Sequence, residues 1–60
     1  MHGEPLVYRI HIAMEKLGLS RATIYRLAAR GDLKLVKLGR RASGITAESI
    51  RALIERGSTQ

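Results

Sequence analysis

Cationic, hydroxyl and very small side chains recur at helical spacing between residues 21 and 30 of this 60-residue chain. Ile24, Leu27 and Ala28 share one face of a 3.6-residue period. The other faces carry Arg21, Ala22, Thr23, Tyr25, Arg26, Ala29 and Arg30. A guanidinium fork donates to two acceptors in one plane, such as O6 and N7 of guanine or two phosphate oxygens. The chemistry that this surface supports is therefore recognition of nucleic acid.

Each residue type on this surface suits a different contact. The two alanines let the backbone approach base edges, and either methyl group suits contact with a thymine methyl. Arg26 is the candidate reader of guanine. Arg21, at the start of the helix, and the hydroxyls of Thr23 and Tyr25 are candidates for phosphate contacts. The alternative interpretation is a solvated helix face without a ligand.

A shorter helix is predicted immediately before this one, over residues 10–17. Its apolar face consists of Ile10, Ala13, Met14 and Leu17, at positions i, i+3, i+4 and i+7. Gly18 can end this helix, Leu19 points inward, and Ser20 is well suited to cap the next helix, which Gly31 ends. Two short helices around an apolar turn, the second one basic, form the helix-turn-helix layout, whose second helix enters the DNA major groove.

Short β-prone runs follow the second helix. Residues 33–38 predict one strand and residues 42–45 a weaker one, in which Gly44 indicates a bulge. Because an isolated hairpin is only marginally stable, we expect it to pack on the helices or on residues 6–8. Those residues form either an extended arm or a further strand. The two strands predict a wing beside the helices.

The predicted wing is basic. Gly39 permits its turn, and Arg40 and Arg41 stand at the tip. Arginines on a loop beside a recognition helix suit the adjacent minor groove, where the DNA potential is most negative. Lys34 and Lys37 are candidates for contacts with the DNA backbone. The alternative is a charged hairpin whose cations only keep the protein soluble.

A third helix closes the predicted fold. Thr46 is a good N-cap for it, and Gly57 is the predicted stop. Its apolar face consists of Ala47, Ile50, Leu53 and Ile54. The predicted fold class is mostly α with a small β-hairpin wing, a winged helix-turn-helix. We expect a disordered N-terminus at residues 1–5, the winged helix-turn-helix domain at 6–57 and a tail at 58–60.

The composition narrows the function classes. Eleven Lys and Arg against five Asp and Glu give a net charge of +6, which is typical of a nucleic-acid-binding domain. Without cysteine, and with only the unclustered His2 and His11, neither a metal nor another cofactor is expected. No spacing suits a nucleophile with its base or a phosphate-binding loop, so we expect no enzyme and no small-molecule ligand. Without a signal or spanning segment, we expect a cytoplasmic, nucleoid-associated protein that does not bind membranes.

Ile12 does not fit the pattern of the first helix, because it lies about 160° from the centre of the apolar face. One interpretation is an isolated exposed isoleucine, which is common and has no function. The other is a contact with a neighbouring protein molecule, in which Met14 takes part.

The run from Tyr8 to Arg41 resembles the helix-turn-helix domain of the excisionase family, which is itself similar to MerR-like winged helices. The resemblance depends on Ala13, L-G-L-S at 17–20, T-I-Y-R-L at 23–27, G-x-L at 31–33 and V-x-L-G-R-R at 36–41. T-x-E-x-I at 46–50 resembles the closing helix, so the likeness covers about residues 8–54. The chain departs from the family at Arg9, a poor N-cap where Thr or Ser is usual, at Ile12, where an acidic residue is usual, and in a longer strand after Arg41.

The resemblance implies a non-catalytic recombination directionality factor from a phage. Such proteins bind tandem sites beside an attachment site, bend the DNA and direct an integrase toward excision. Copies bind cooperatively, side by side, sometimes head to tail. The expected partners are therefore double-stranded DNA, further copies of this chain and a phage integrase.

Other functions remain open from the sequence. A small MerR-like or AlpA-like transcriptional regulator would repress a promoter without affecting recombination. A protein–protein adaptor or antitoxin-like module would bind its partner equally well after Arg26→Ala and Arg40→Ala. RNA binding lacks support, because two tyrosines are the only aromatic residues and no stacking platform is visible.

Overall fold

A computed structural model describes residues 5–57 of the protein. Three short helices and three short strands follow one another with few residues between them. In chain order the elements are β1 (Val7–Arg9), α1 (Ile10–Leu17), α2 (Arg21–Arg30), β2 (Leu35–Lys37), β3 (Ser43–Thr46) and α3 (Ala47–Gly57). The predicted winged helix-turn-helix fold is confirmed, and α1 and α2 have the predicted bounds. Met1–Glu4, which make up most of the predicted disordered N-terminus, and the predicted tail at 58–60 lie outside the described residues.

A glycine in the left-handed conformation makes the turn between α1 and α2. Gly18 has φ 67°, and its N–H donates to the carbonyl of Met14 at 2.8 Å. Ser20 then caps α2, because its Oγ accepts a hydrogen bond from the N–H of Thr23 at 3.2 Å. Gly31, with φ 89°, ends α2. These local caps fix where α2 begins and ends, and hence which residues it can expose.

The three strands form one antiparallel sheet with β3 in the centre. Residues 6–8, which the sequence predicts as either an extended arm or a further strand, lead into strand β1, since Tyr8 pairs with Ile45. On the other side, Leu35 of β2 pairs with the same Ile45. The strand predicted over 33–38 is shorter, because Leu33 is buried in the core and Lys34 donates its N–H to Ser49 Oγ at 3.1 Å. The wing therefore rests on β1 and on the start of α3.

Gly44 does not form the predicted bulge. It stands in an uninterrupted register, opposite Arg9 on one side and Val36 on the other. A Cβ atom at this position would lie 2.5 Å from Val7 Cγ1 and 2.7 Å from the carbonyl oxygen of Tyr8. Glycine is present because β1 lies too close to β3 at this position to leave room for a side chain.

The core lies between the helices and β3. Ile24 of α2 and Ile45 of β3 are fully buried at its centre. Around them are Ile10, Ala13, Leu33 and Ile50, with Leu27 and Ala28 partly buried against the cluster. Ile54 differs from the prediction, because it is 51% exposed at the rim of a groove that also includes Tyr8 and Lys16.

Thr46 caps α3, as predicted. Its Oγ1 accepts from the N–H of Ser49 at 3.2 Å and donates to Ser49 Oγ at 2.9 Å. Because Ser49 Oγ also accepts from the N–H of Lys34, the cap joins α3 to the segment that leads into β2.

Gly44→Ala tests the close approach of β1 and β3. We expect a loss of about 2–3 kcal/mol in the free energy of unfolding, since the new methyl group meets backbone as well as side chain. Urea unfolding followed by circular dichroism measures it. Gly39→Ala is the matched control, because nothing lies within 4 Å of a Cβ there. Equal stability of the two variants would contradict the account.

Candidate nucleic-acid interface

Helix α2 separates its aliphatic residues from its cations. Ile24 has no exposed surface, and Leu27 and Ala28 are half-buried against the core. Six of the seven candidate residues on the other faces are exposed: Arg21, Ala22, Tyr25, Arg26, Ala29 and Arg30. The geometry that the sequence predicted, with arginines directed outward by a buried aliphatic face, is present.

Thr23 is the seventh candidate, and it is half-buried. Its Oγ1 shares a 3.0 Å hydrogen bond with Ser20 Oγ and accepts a second from Nη2 of Arg26 at 3.3 Å. The hydroxyl is therefore already engaged within the protein. Its predicted contact with phosphate stays a prediction. The geometry adds another role, since Thr23 connects the helix cap to Arg26 and orients the guanidinium.

The other end of α2 has a carboxylate, Asp32, which follows the helix as a turn residue and pairs with two arginines. Asp32 Oδ2 lies 3.3 Å from Nη2 of Arg30, and its Oδ1 lies 3.0 Å from Nη2 of Arg56. Arg30 is thus partly neutralised and held back toward α3. Base contacts are usually made from the N-terminal part of a recognition helix, and Arg26 is one turn nearer to that end of α2 than Arg30 is. The pairing favours Arg26 over Arg30 as the reader.

The wing presents its cations on a closed loop. The N–H of Leu38 donates to the carbonyl of Ala42 at 2.8 Å, and Gly39, Arg40 and Arg41 lie between them. Arg40 and Arg41 are exposed. The wing lysines, Lys34 and Lys37, are exposed as well.

A polar cleft of about 170 Å³ lies between the start of α1, the N-terminal half of α2 and the wing. We call it the arginine cleft. It is lined by Arg9, Ile10, His11, Arg21, Tyr25, Arg41, Ala42 and Ser43. The structure thus brings three predicted site residues, Arg21, Tyr25 and Arg41, to one place.

Arg9 and His11 are lining residues that the sequence analysis missed. Arg9 is a poor helix cap by residue type, and its side chain makes no cap hydrogen bond in front of α1. His11 has no clustered partner in the sequence, which indicates an exposed side chain and not a ligand. Polar residues at the first positions of α1 were the available signal, but their relation to the wing depends on the pairing of β1 with β3.

Ile12 and Met14, the candidates for a contact between molecules, are both half-buried. Met14 packs against the core cluster. Ile12 is thus less exposed than its position on the helix predicted, and the role of both residues in assembly stays a prediction.

The profile of the helix-turn-helix domain family matches residues 7–58. The chain belongs to this family. Its members include excisionase-like DNA-binding proteins, and a helix-turn-helix domain of this kind implies sequence-specific binding of DNA. Comparison with curated proteins and with solved structures gave no match. Among residues 5–57, every helix is too short or too polar to cross a bilayer.

Asp32→Asn tests whether the carboxylate restrains Arg30 of this helix-turn-helix domain. Asparagine keeps the shape of the turn but releases the arginine, so we expect two- to fivefold tighter DNA binding. Stability should fall by only about 0.5 kcal/mol, because both arginines are largely exposed. Fluorescence anisotropy with a labelled duplex measures the affinity.

Glu48→Gln is the control for net charge, since it removes one negative charge from the first turn of α3. An equal gain in affinity for both variants would mean that overall charge, not release of Arg30, is responsible.

Proposed function

We propose that this protein is an excisionase-type architectural factor that binds double-stranded DNA with α2 in the major groove and the wing in the adjacent minor groove. One observation carries the proposal: the exposed face of α2 and the arginine loop of the wing border the same cleft. A single duplex can therefore contact both elements at once.

In the major groove, Arg26 is the proposed reader of a guanine. Its guanidinium is exposed, and Thr23 holds it from one side, which leaves donors for O6 and N7. Ala22 and Ala29 are exposed and small, so they allow a close approach to the base edges. Arg21 and Tyr25 lie beside the groove edge as phosphate contacts, and Arg30 contributes charge from the far end of the helix.

In the minor groove, Arg40 is the proposed contact. The loop that carries it is closed by the hydrogen bond between Leu38 and Ala42, so the side chain is presented from a defined turn. An arginine gains most where the minor groove is narrow and its potential most negative. Lys34 and Lys37 add exposed charge for the DNA backbone.

The finer role rests on family membership together with the proposed DNA-binding surface. Tandem copies that each occupy a major and a minor groove bend DNA cumulatively, and integrase then assembles on the bent site. Contacts between neighbouring copies through Ile12, with cooperative and head-to-tail binding, belong to the same proposal.

The salt dependence of binding tests the interface as a whole. With about 5–7 phosphate contacts, the logarithm of the affinity should fall with the logarithm of salt concentration at a slope of roughly −5 to −6. An affinity nearly independent of salt would count against DNA as the partner.

Arg26→Ala tests the reader. We expect a loss of about 1–3 kcal/mol in binding free energy, together with relaxed preference at one base pair. Selection from a random-sequence pool, followed by titration of single-base variants, measures both. Lys16→Gln is the control, because Lys16 lines a groove that shares no residue with the arginine cleft. A uniform loss of affinity with unchanged base preference would show that Arg26 contacts only phosphate.

Mobility shifts on attachment-site DNA, with an excision assay in parallel, test the excisionase role. Ordered ladders with stimulated excision are the expected result. Ladders without excision would favour a transcriptional regulator. Capture of a protein partner that survives Arg26→Ala with Arg40→Ala, without any DNA binding, would favour an adaptor or antitoxin-like module.

A further inference from the structure

The arginine cleft brings Arg9, His11 and Arg41 together with Arg21 and Tyr25, the two residues already proposed as phosphate contacts. Building on the proposed function, we propose that it seats one backbone phosphate of DNA, at the place where the strand passes from the major groove to the minor groove. Arg9, Arg21 and Arg41 supply the charge, and His11 and the Tyr25 hydroxyl supply further hydrogen-bonding groups.

Residues far apart in sequence converge on this cleft. Arg9 and His11 stand where β1 leads into α1, Arg21 begins α2, and Arg41 ends the turn of the wing. All four are exposed, so their polar ends are available to a ligand. The cleft has a volume of about 170 Å³, well above the roughly 10–15 Å³ that one water molecule needs, so a phosphate group has room in it.

In the part of the chain that the structure describes, no carboxylate compensates the charges of the cleft. No carboxylate lines it, and within residues 5–57 none of its three guanidinium groups forms an ion pair. At the other end of α2 the protein does the opposite, because Asp32 pairs with both Arg30 and Arg56. Three like charges around one cleft repel one another, and an anion between them removes that repulsion. Guanidinium groups, with planar forks of donors, suit the two free oxygens of a phosphodiester.

The position of the cleft identifies which anion it receives. It lies between α2 and the wing loop, and these elements enter neighbouring grooves in the proposed complex. Neighbouring grooves are separated by one sugar–phosphate strand, so that strand has to pass over the cleft. Arg41 then contacts the backbone while Arg40 alone enters the minor groove, which divides the two residues that the sequence analysis treated together.

A phosphate held there has a defined consequence. Phosphate contacts fix the register and orientation of a protein on DNA, and base contacts read the sequence. The cleft would thus set α2 and the wing in register on one strand. Loss of this phosphate contact should weaken binding to every DNA sequence without changing which sequence is preferred.

The test uses Arg9→Gln and Arg41→Gln, with Lys16→Gln as the control of equal charge. The Arg9 side chain makes no cap hydrogen bond, so its replacement removes none, and circular dichroism verifies folding of each variant. The probe is a duplex selected from a random pool by the unaltered protein. Both cleft variants should bind about 5–10-fold more weakly, lower the magnitude of the salt slope by about 1 and keep the base preference.

A scan of neutral methylphosphonates through the selected duplex locates the phosphate. One position between the two groove contacts should weaken binding of the unaltered protein about tenfold and weaken binding of Arg41→Gln clearly less, since that variant has already lost one of the three contacts. Equal losses for both proteins at every position would overturn the assignment. The assignment of the cleft would also be overturned if Arg9→Gln and Arg41→Gln bound DNA as tightly as Lys16→Gln does. The proposed function would stand in that case.

Failure of the function itself gives a different result. If no duplex is selected, DNA binding fails, and with it the assignment of the cleft to a DNA phosphate. Titration of the ¹⁵N-labelled protein with inorganic phosphate then separates the sources. Shifts confined to the amides around Arg9, His11 and Arg41 support an anion site for free phosphate, and their absence overturns the site altogether.

Discussion

Burial of Ile24 is the constraint on which the rest of the structure depends. α2 is short and basic, and its one fully buried residue lies against Ile45 of the central strand and the residues around it. Burying one aliphatic side chain of this size stabilises the fold by about 1.5–3 kcal/mol. In a chain of 60 residues, whose total stability is small, that contribution decides how α2 is rotated. The rotation in turn directs Arg26 and its neighbours outward.

The sheet determines where the wing loop lies relative to the start of α1. Gly44 lets β1 approach β3 closely, so Arg9 at the end of β1 lies opposite Gly44 in the register. Strand β3 follows the wing loop directly, and its pairing with β1 therefore connects the position of Arg41 to the position of Arg9. One glycine in the centre of the sheet thus determines how the wing meets the start of α1.

The sequence predicts the elements whose signals are local. The bounds of α1 and α2 follow from helical periodicity together with Gly18, Ser20 and Gly31, all of which act within a few residues. Thr46 as a helix cap is a signal of the same kind. The prediction of a bulge at Gly44 was wrong. A bulge and a close approach of two paired strands both favour glycine, and only the register of the pairing distinguishes the two cases.

Features that depend on distant residues could not be predicted. Asp32 follows Gly31 in a turn, and its ion pair with Arg56 joins positions 24 residues apart, which no local signal indicates. The arginine cleft likewise requires the pairing of β1 with β3. Ile54 has the correct helical spacing for the core, but α3 continues past the core at that point and leaves it exposed. Periodicity indicates the apolar face of a helix, whereas the length of the face that is covered depends on its neighbours.

Single-cysteine affinity cleavage tests the central claim most directly, because the protein has no cysteine of its own. An iron chelate is attached at Arg30→Cys at the end of α2, at Gly39→Cys in the wing loop and, as a control, at Ala52→Cys on the exposed side of α3. The account predicts major-groove cleavage from the first, cleavage in the adjacent minor groove from the second and little from the third. Strong cleavage from Ala52→Cys with none from Arg30→Cys would contradict it.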